Sequence, residues 1–186
     1  DPGGPPNESL VDRHPAVRYI QTATRLSVGA KLNFGIERAR GEIIQKMDDD
    51  DHYGPTFLES TVTALTSAAA APVVVATDRY PVLFTPTGEL CSVTQGFAGG
   101  TLCFRSRLWC HGPFRDISVA EDNFFVRDHD ARKVAVDGSS IYVYVRHDRG
   151  HSWRRLLPDS RLAPGEDVTE TLRRLPRYKR SLDQLM

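Results

Sequence analysis

Residues 43–55, IIQKMDDDDHYGP, run a short β-prone segment straight into four consecutive aspartates and then into a Gly-Pro pair. Neighbouring carboxylates repel, so each ionised aspartate makes the next harder to ionise. Most acidic runs are solvated loops. Here the flanks set narrower terms. Ile43 and Ile44 supply the end of a strand, and Pro55 suits the first turn of a helix. In an open parallel sheet, ligands bind beyond the carboxyl ends of the strands, and the run falls at such a place. Hard carboxylate oxygens there favour Mg2+ or Mn2+, whose charge offsets the repulsion and which bridges phosphate oxygens. In an extended segment alternate side chains share a face, so Asp48 and Asp50 are expected to point together, with Asp49 facing away and Asp51 fixing the loop. A calcium loop counted from Asp48 is disfavoured, because Tyr53 stands where a glycine is needed and Pro55 intrudes.

Around this segment the pattern alternates. AVRYI (16–20) is expected to be a strand, and a helix should follow through Leu32, Ile36 and Ala39, with Gly41 placed to end it. After the strand at 43–47 comes a helix with an apolar face of Phe57, Leu58, Val62, Leu65 and Ala69, then the buried strand PVVVATD at 72–78. Strand and helix in alternation indicate an α/β fold with a mainly parallel sheet. Further on, residues 80–94 read as two extended arms around a Pro-Thr-Gly turn. Residues 99–109 form a glycine-led, strand-like segment, and 120–131 a short helix opening on Glu121 and Asp122. Two β runs flank Asp137-Gly138, and a charged helical tail is expected from Pro164.

Bulk properties narrow the classes. The 186 residues have a formal net charge of zero and a pI of about 7.2, so no global field would attract nucleic acid, and no basic block marks a membrane surface. The longest apolar stretch, residues 68–76, is too short to span a bilayer and contains Pro72. Cys91, Cys103 and Cys110 make an odd set without metal-ligand spacing and read as reduced thiols of a cytoplasmic protein, associated with a membrane, if at all, through partners.

NFGIERARGEIIQKMDDDDHYGPTFLES resembles the central segment of family 2 glycosyltransferases, which have the GT-A fold. There an Asn-containing helix ends in Ala-x-Gly-Glu, a strand follows, and Asp-x-Asp-Asp precedes a proline. The matching residues are Asn33, Ala39, Gly41, Glu42, the strand 43–47, Asp48, Asp50, Asp51 and Pro55. GGTLCFRSRLWCHGPFRDISVAEDNFFVR is similar to the acceptor-side segment, where a glycine-led strand leads to a Glu-Asp pair opening a helix. YVYVRHDRGHSW is similar to the Tyr-x-x-Arg-His stretch that often closes these domains. The resemblance implies a GT-A-like (Rossmann-like) α/β domain over residues 1–155, its mainly parallel sheet flanked by helices and joined to a smaller antiparallel acceptor-side portion. Residues 156–186 form the tail.

It also implies a reaction: inverting sugar transfer from a nucleotide-sugar donor, such as a UDP-sugar, to a glycan or other hydroxyl acceptor, with Mn2+ or Mg2+ as cofactor. Asp48 and Asp50 would hold the metal on the donor diphosphate, with His147 completing the shell or touching the diphosphate. Asp122 would be the general base, and Glu121, about 100° away on the helix, an orienter or acceptor contact. The donor-contact set is Lys31, Asn33, Asp48, Asp49 and Asp50. Lys31 and Asn33 open a helix whose N–H groups suit phosphate, although a solvated lysine is the plainer reading of Lys31. Gly99 and Gly100 either let the backbone approach the sugar or form a plain bulge. His151 and Trp153 are nearby candidates, Trp153 equally as core. Family members begin with a strand, a helix and a second strand around the nucleoside base. Here some sixteen polar, proline-rich residues precede the first expected strand, so the chain is expected to begin partway through the domain.

Overall fold

Val73, Val74, Val75 and Ala76 are all buried and begin the longest of the described strands. An unbroken apolar run of this kind belongs to a strand covered on both faces. In the computed structural model, which describes residue 14 and residues 16–68, 72–84, 89–93 and 96–146, that strand is the spine of a seven-stranded sheet. It is β3 (Val73–Phe84), with β1 (Ile43–Gln45) and β2 (His52–Tyr53) before it and β4 (Glu89–Val93), β5 (Cys103–Arg105), β6 (Arg132–Asp137) and β7 (Tyr142–Arg146) after it. The first half of β3 pairs antiparallel with β5 and parallel with β6. A register shift falls between Thr77 and Arg79, beyond which β3 pairs antiparallel with β4 and parallel with β7. β1 extends the sheet from β5 and β2 from β7, both antiparallel. The sheet is therefore mixed, with the parallel pairings confined to β3 with β6 and β7.

Alternation along β3 sorts the core onto two faces. Val74 joins Leu102, Phe104, Leu108, Phe114, Phe125 and Val126 on one face. There pack α1 (Val28–Ile36), α3 (Ser106–His111) and α4 (Glu121–Asp128). Val73 and Val75 join Leu65 and Cys103 on the other face, under α2 (Phe57–Ser67). A third cluster, Phe57, Ala98, Ile141 and Tyr142 with Tyr53, Tyr80 and Tyr144 against it, fills the region where β2, β3 and β7 meet.

Several sequence expectations change. Residues 16–20 form no strand: Val17, Tyr19 and Ile20 are 43–48% exposed, and the segment is tied by Arg18 Nη2 donating to the Arg38 carbonyl. β-prone side chains make a strand only where a partner edge accepts them. α1 stops at Ile36, five residues before Gly41. Its last turn tightens through Arg38 N–H to Gly35 O and Ala39 N–H to Ile36 O, while the Arg38 guanidinium donates to Phe34 O and lies over the Phe34 ring. On α2 the buried residues are Phe57, Thr61 and Leu65, and Leu58 is 50% exposed. Thr61 displaces the expected apolar neighbours because its hydroxyl donates to Gln45 Oε1 on β1, satisfying it inside the core. The two arms at 80–94 pair as expected, from Tyr80 opposite Val93 to Phe84 opposite Glu89. Their first arm is continuous with β3. At Asp137-Gly138 the chain turns, with Asp137 Oδ1 accepting from Ser139 N–H, yet it does not reverse: β6 and β7 both run parallel to β3 at successive stretches. Ala69 and the tail from Pro164 lie outside the described residues.

Candidate functional site

Three buried threonines and a glutamine fix the centre of the site. The Thr101 hydroxyl donates to Ala98 O and accepts from Thr77 N–H, and it lies 3.1 Å from the Thr77 hydroxyl. Gln45 Nε2 donates to Thr101 O, while its Oε1 receives Thr61. These bonds clamp the 3-10 turn Gly99–Thr101 between β3 and β1. The backbone of that turn runs between two sets of carboxylates. A Cβ on Gly99 would lie 1.4 Å from Asp122 Oδ2. On Gly100 it would lie 2.7 Å from Asp48 Oδ2 and 3.0 Å from Asp51 Oδ2. The segment is a 3-10 turn and not a bulge, and the groups that approach its two glycines are carboxylates.

The aspartate run is a turn and not an extended segment. Asp48 N–H donates to the Tyr53 hydroxyl, which donates in turn to Gly100 O. Asp51 accepts from the Tyr142 hydroxyl at 2.5 Å and from Val145 N–H at 2.9 Å. With both ends of the run anchored, the chain bends at Asp49 and Asp50, so strand alternation does not govern it. Asp48 and Asp51 are the pair that meets beside Gly100. Asp49 is exposed and Asp50 half-buried.

Lys46 was not foreseen as a site residue. Its side chain is 7% exposed, with Nζ 3.0 Å from Asp48 Oδ1 and 3.8 Å from Glu121 Oε1. A lysine next to aspartates reads as solvated. The available signal was its place in the apolar segment before them. Glu121 turns inward and is buried, and that burial raises its pKa, as does Asp122, while Lys46 lowers it. Asp122 lies over Gly99 with Oδ1 accepting from Asn123 N–H. The two acids therefore face different ways, as their spacing on a helix requires.

Asn33 is spent on the fold. Its Oδ1 accepts from Trp109 Nε1 and Phe114 N–H and its Nδ2 donates to Phe114 O. Lys31 is exposed on α1, at a groove of about 410 Å3 that Leu32, Ile36, Ile44, Met47 and Lys46 also line. His147, His151 and Trp153 lie outside the described residues. Among the described residues, no three His, Cys, Asp or Glu side chains are grouped to hold a metal ion, and no helix is long and apolar enough to cross a membrane.

Helices on a sheet, with carboxylates gathered around a glycine turn beside the central strands, make this a GT-A-like α/β domain. The family model described as Glycosyl transferase family 2 matches residues 6–101, more than half of the chain. The chain belongs to that family. The matched span contains the aspartate turn and ends at Thr101, short of Glu121 and Asp122. No curated protein matches the chain.

Two outcomes follow from the geometry. In Gly99→Ala the new methyl meets a movable carboxylate tip, so stability should change by less than about 1 kcal/mol while Asp122 is pushed aside. Denaturant unfolding and a crystal structure of the variant check this, and an unmoved Asp122 would contradict it. Burial pushes the Asp51 carboxyl up to about 7, with Tyr142 and Val145 opposing and Asp48 and Asp50 adding to the rise. The unfolded value is near 3.8, so the folded state holds a proton that the unfolded chain has released. Its stabilisation is full below about pH 4 and is lost as pH rises to about 7. Chelator-treated wild type should lose on the order of 1–4 kcal/mol relative to Asp51→Asn between pH 5 and 8. Parallel curves for the two proteins would refute this.

Proposed function

We propose that the chain carries the catalytic site of an inverting, metal-dependent glycosyltransferase that moves a sugar from a nucleotide-diphosphate sugar to a glycan or other hydroxyl acceptor. The observation that carries this reading is the glycine turn with Asp48 and Asp51 beside Gly100 and Asp122 over Gly99, in a chain of family 2. On this reading the first pair serves a donor side and Asp122 an acceptor side, one residue of backbone apart.

The donor side suits a hard divalent cation, because two carboxylate oxygens converge beside Gly100. Asp48 would hold Mn2+ or Mg2+ with Asp51 or Asp50, and His147 is a further candidate. When bound, the ion supplies Lewis-acid stabilisation of the departing diphosphate. Asp51, fixed by Tyr142 and Val145, holds the turn in place. On the acceptor side, Asp122 takes the hydroxyl proton. The freed oxygen bonds to the anomeric carbon as its bond to the diphosphate breaks, and attack from the opposite face inverts the centre. Glu121, buried next to Lys46, orients the first turn of α4.

A rival reading is a family 2 domain that keeps the loop without turning over a donor. It draws support from Lys46, which already occupies both Asp48 oxygens at 3.0 and 3.3 Å. Calorimetry with Mn2+ and UDP, together and apart, separates the two: coupled binding supports the enzyme, and silence supports the rival. Asp122→Asn should lower sugar transfer about 10²–10⁴-fold with the fold retained, the usual worth of a general base. Full activity in that variant would remove Asp122 from the role.

A further inference from the structure

We propose that Lys46 is a positioning residue of the transfer reaction: a buried cationic strut that ties the Asp48 turn to Glu121 and so sets Asp122 against the donor side. The proposal rests on the glycosyltransfer reading above. Lys46 follows β1, and its backbone is held by the central turn, with its N–H donating to Leu102 O and its carbonyl accepting from Gln45 Nε2. From that fixed base its ammonium reaches Asp48 Oδ1 at 3.0 Å and Oδ2 at 3.3 Å, and Glu121 Oε1 at 3.8 Å. A buried ammonium is seldom the most stabilising choice for a core position, since a well-packed apolar side chain often does as well. What it adds is a fixed distance between two carboxylates on separate elements.

The acceptor helix is held further along by Phe125 and Val126 in the core and by Arg115 on Asp128, and the strut acts at its first turn. Glu121 follows Ala120, which has φ 59° and ψ 21°, a left-handed conformation uncommon for a residue with a Cβ. Strain of this kind persists only where the surroundings over-determine it. At this first turn the ion pair that reaches another element is that of Glu121 with Lys46. The donor-side turn, by contrast, has anchors of its own: Asp48 N–H on Tyr53, and Asp51 on Tyr142 and Val145. Loss of the strut should therefore fall on the placement of Asp122 and leave donor binding largely intact.

The test is a kinetic cycle of Lys46→Met, Lys46→Arg, Glu121→Gln and the Lys46→Met/Glu121→Gln double variant. Misplacing a catalytic group by about 1 Å costs roughly 100-fold, so kcat should fall about 100-fold in Lys46→Met while the donor KM stays within about threefold. Lys46→Arg keeps the cation and should recover at least about tenfold. Adding Glu121→Gln to Lys46→Met should cost no more than about threefold further, because the two residues act as one unit. A kcat within about threefold of wild type in Lys46→Met would overturn the proposal, as would an arginine variant no better than methionine, a loss confined to donor KM, or independent multiplicative effects. Should Lys46→Met fail to fold with the buried Glu121 carboxylate unpaired, the double variant, which leaves only the more exposed Asp48 carboxylate without its partner, is read in its place. A wild-type kcat there contradicts the strut. Thermal melting of the same proteins without substrate reads the coupling separately, and additive melting shifts would also contradict it. A wild type that binds donor without transferring sugar would strike the glycosyltransfer reading alone.

Discussion

The arrangement depends on how tightly Thr101 is held. Its hydroxyl and carbonyl are engaged by Thr77, Ala98 and Gln45, and Gln45 is engaged by Thr61. In a low-dielectric interior such a network is stiff when every member is satisfied, and costly when one is missing. Here it joins β3, β1 and α2 to one turn of the chain. The two glycines preceding Thr101 inherit that rigidity. Carboxylates from the aspartate turn and from α4 are therefore brought to a backbone that does not yield, which is what a site dividing two substrates needs.

Charge follows from the same geometry. Asp48, Asp51 and Asp122 approach a common turn, and the buried Lys46 joins Asp48 to Glu121. The burial that raises Asp51 comes with packing an acid beside an aromatic cluster of Tyr53, Tyr80 and Tyr142. Tyr142 offsets part of it by donating to Asp51.

Much of the framework was legible because it rests on local pattern. Val73 to Ala76 declared a doubly covered strand, and Phe57 and Leu65 a helix face. Gly54-Pro55 placed the start of α2, and the Glu-Asp pair the start of α4. The expectations that failed are those that needed tertiary partners. Residues 16–20 have strand propensity but no strand beside them. Thr61 takes a core position that polarity argued against, because Gln45 waits for its hydroxyl. Asp48 to Asp51 bend because Tyr53 and Tyr142 hold them from 5 and 91 residues away. Asn33 sits at the motif's place, yet its amide closes on Trp109 and Phe114. Lys46 acquires meaning only through Glu121, a residue 75 positions later whose approach no spacing could reveal.

On the proposed reading, the Gly99–Gly100 backbone separates a diphosphate side from an acceptor side. A crystal structure of the chain with Mn2+ and a nucleoside diphosphate tests it most directly. The account expects the ion bound to Asp48 beside Gly100, the diphosphate on that same side, and Asp122 still over Gly99. A diphosphate seated elsewhere, in the groove between α1 and β1 for example, with the aspartate turn unliganded, would contradict it.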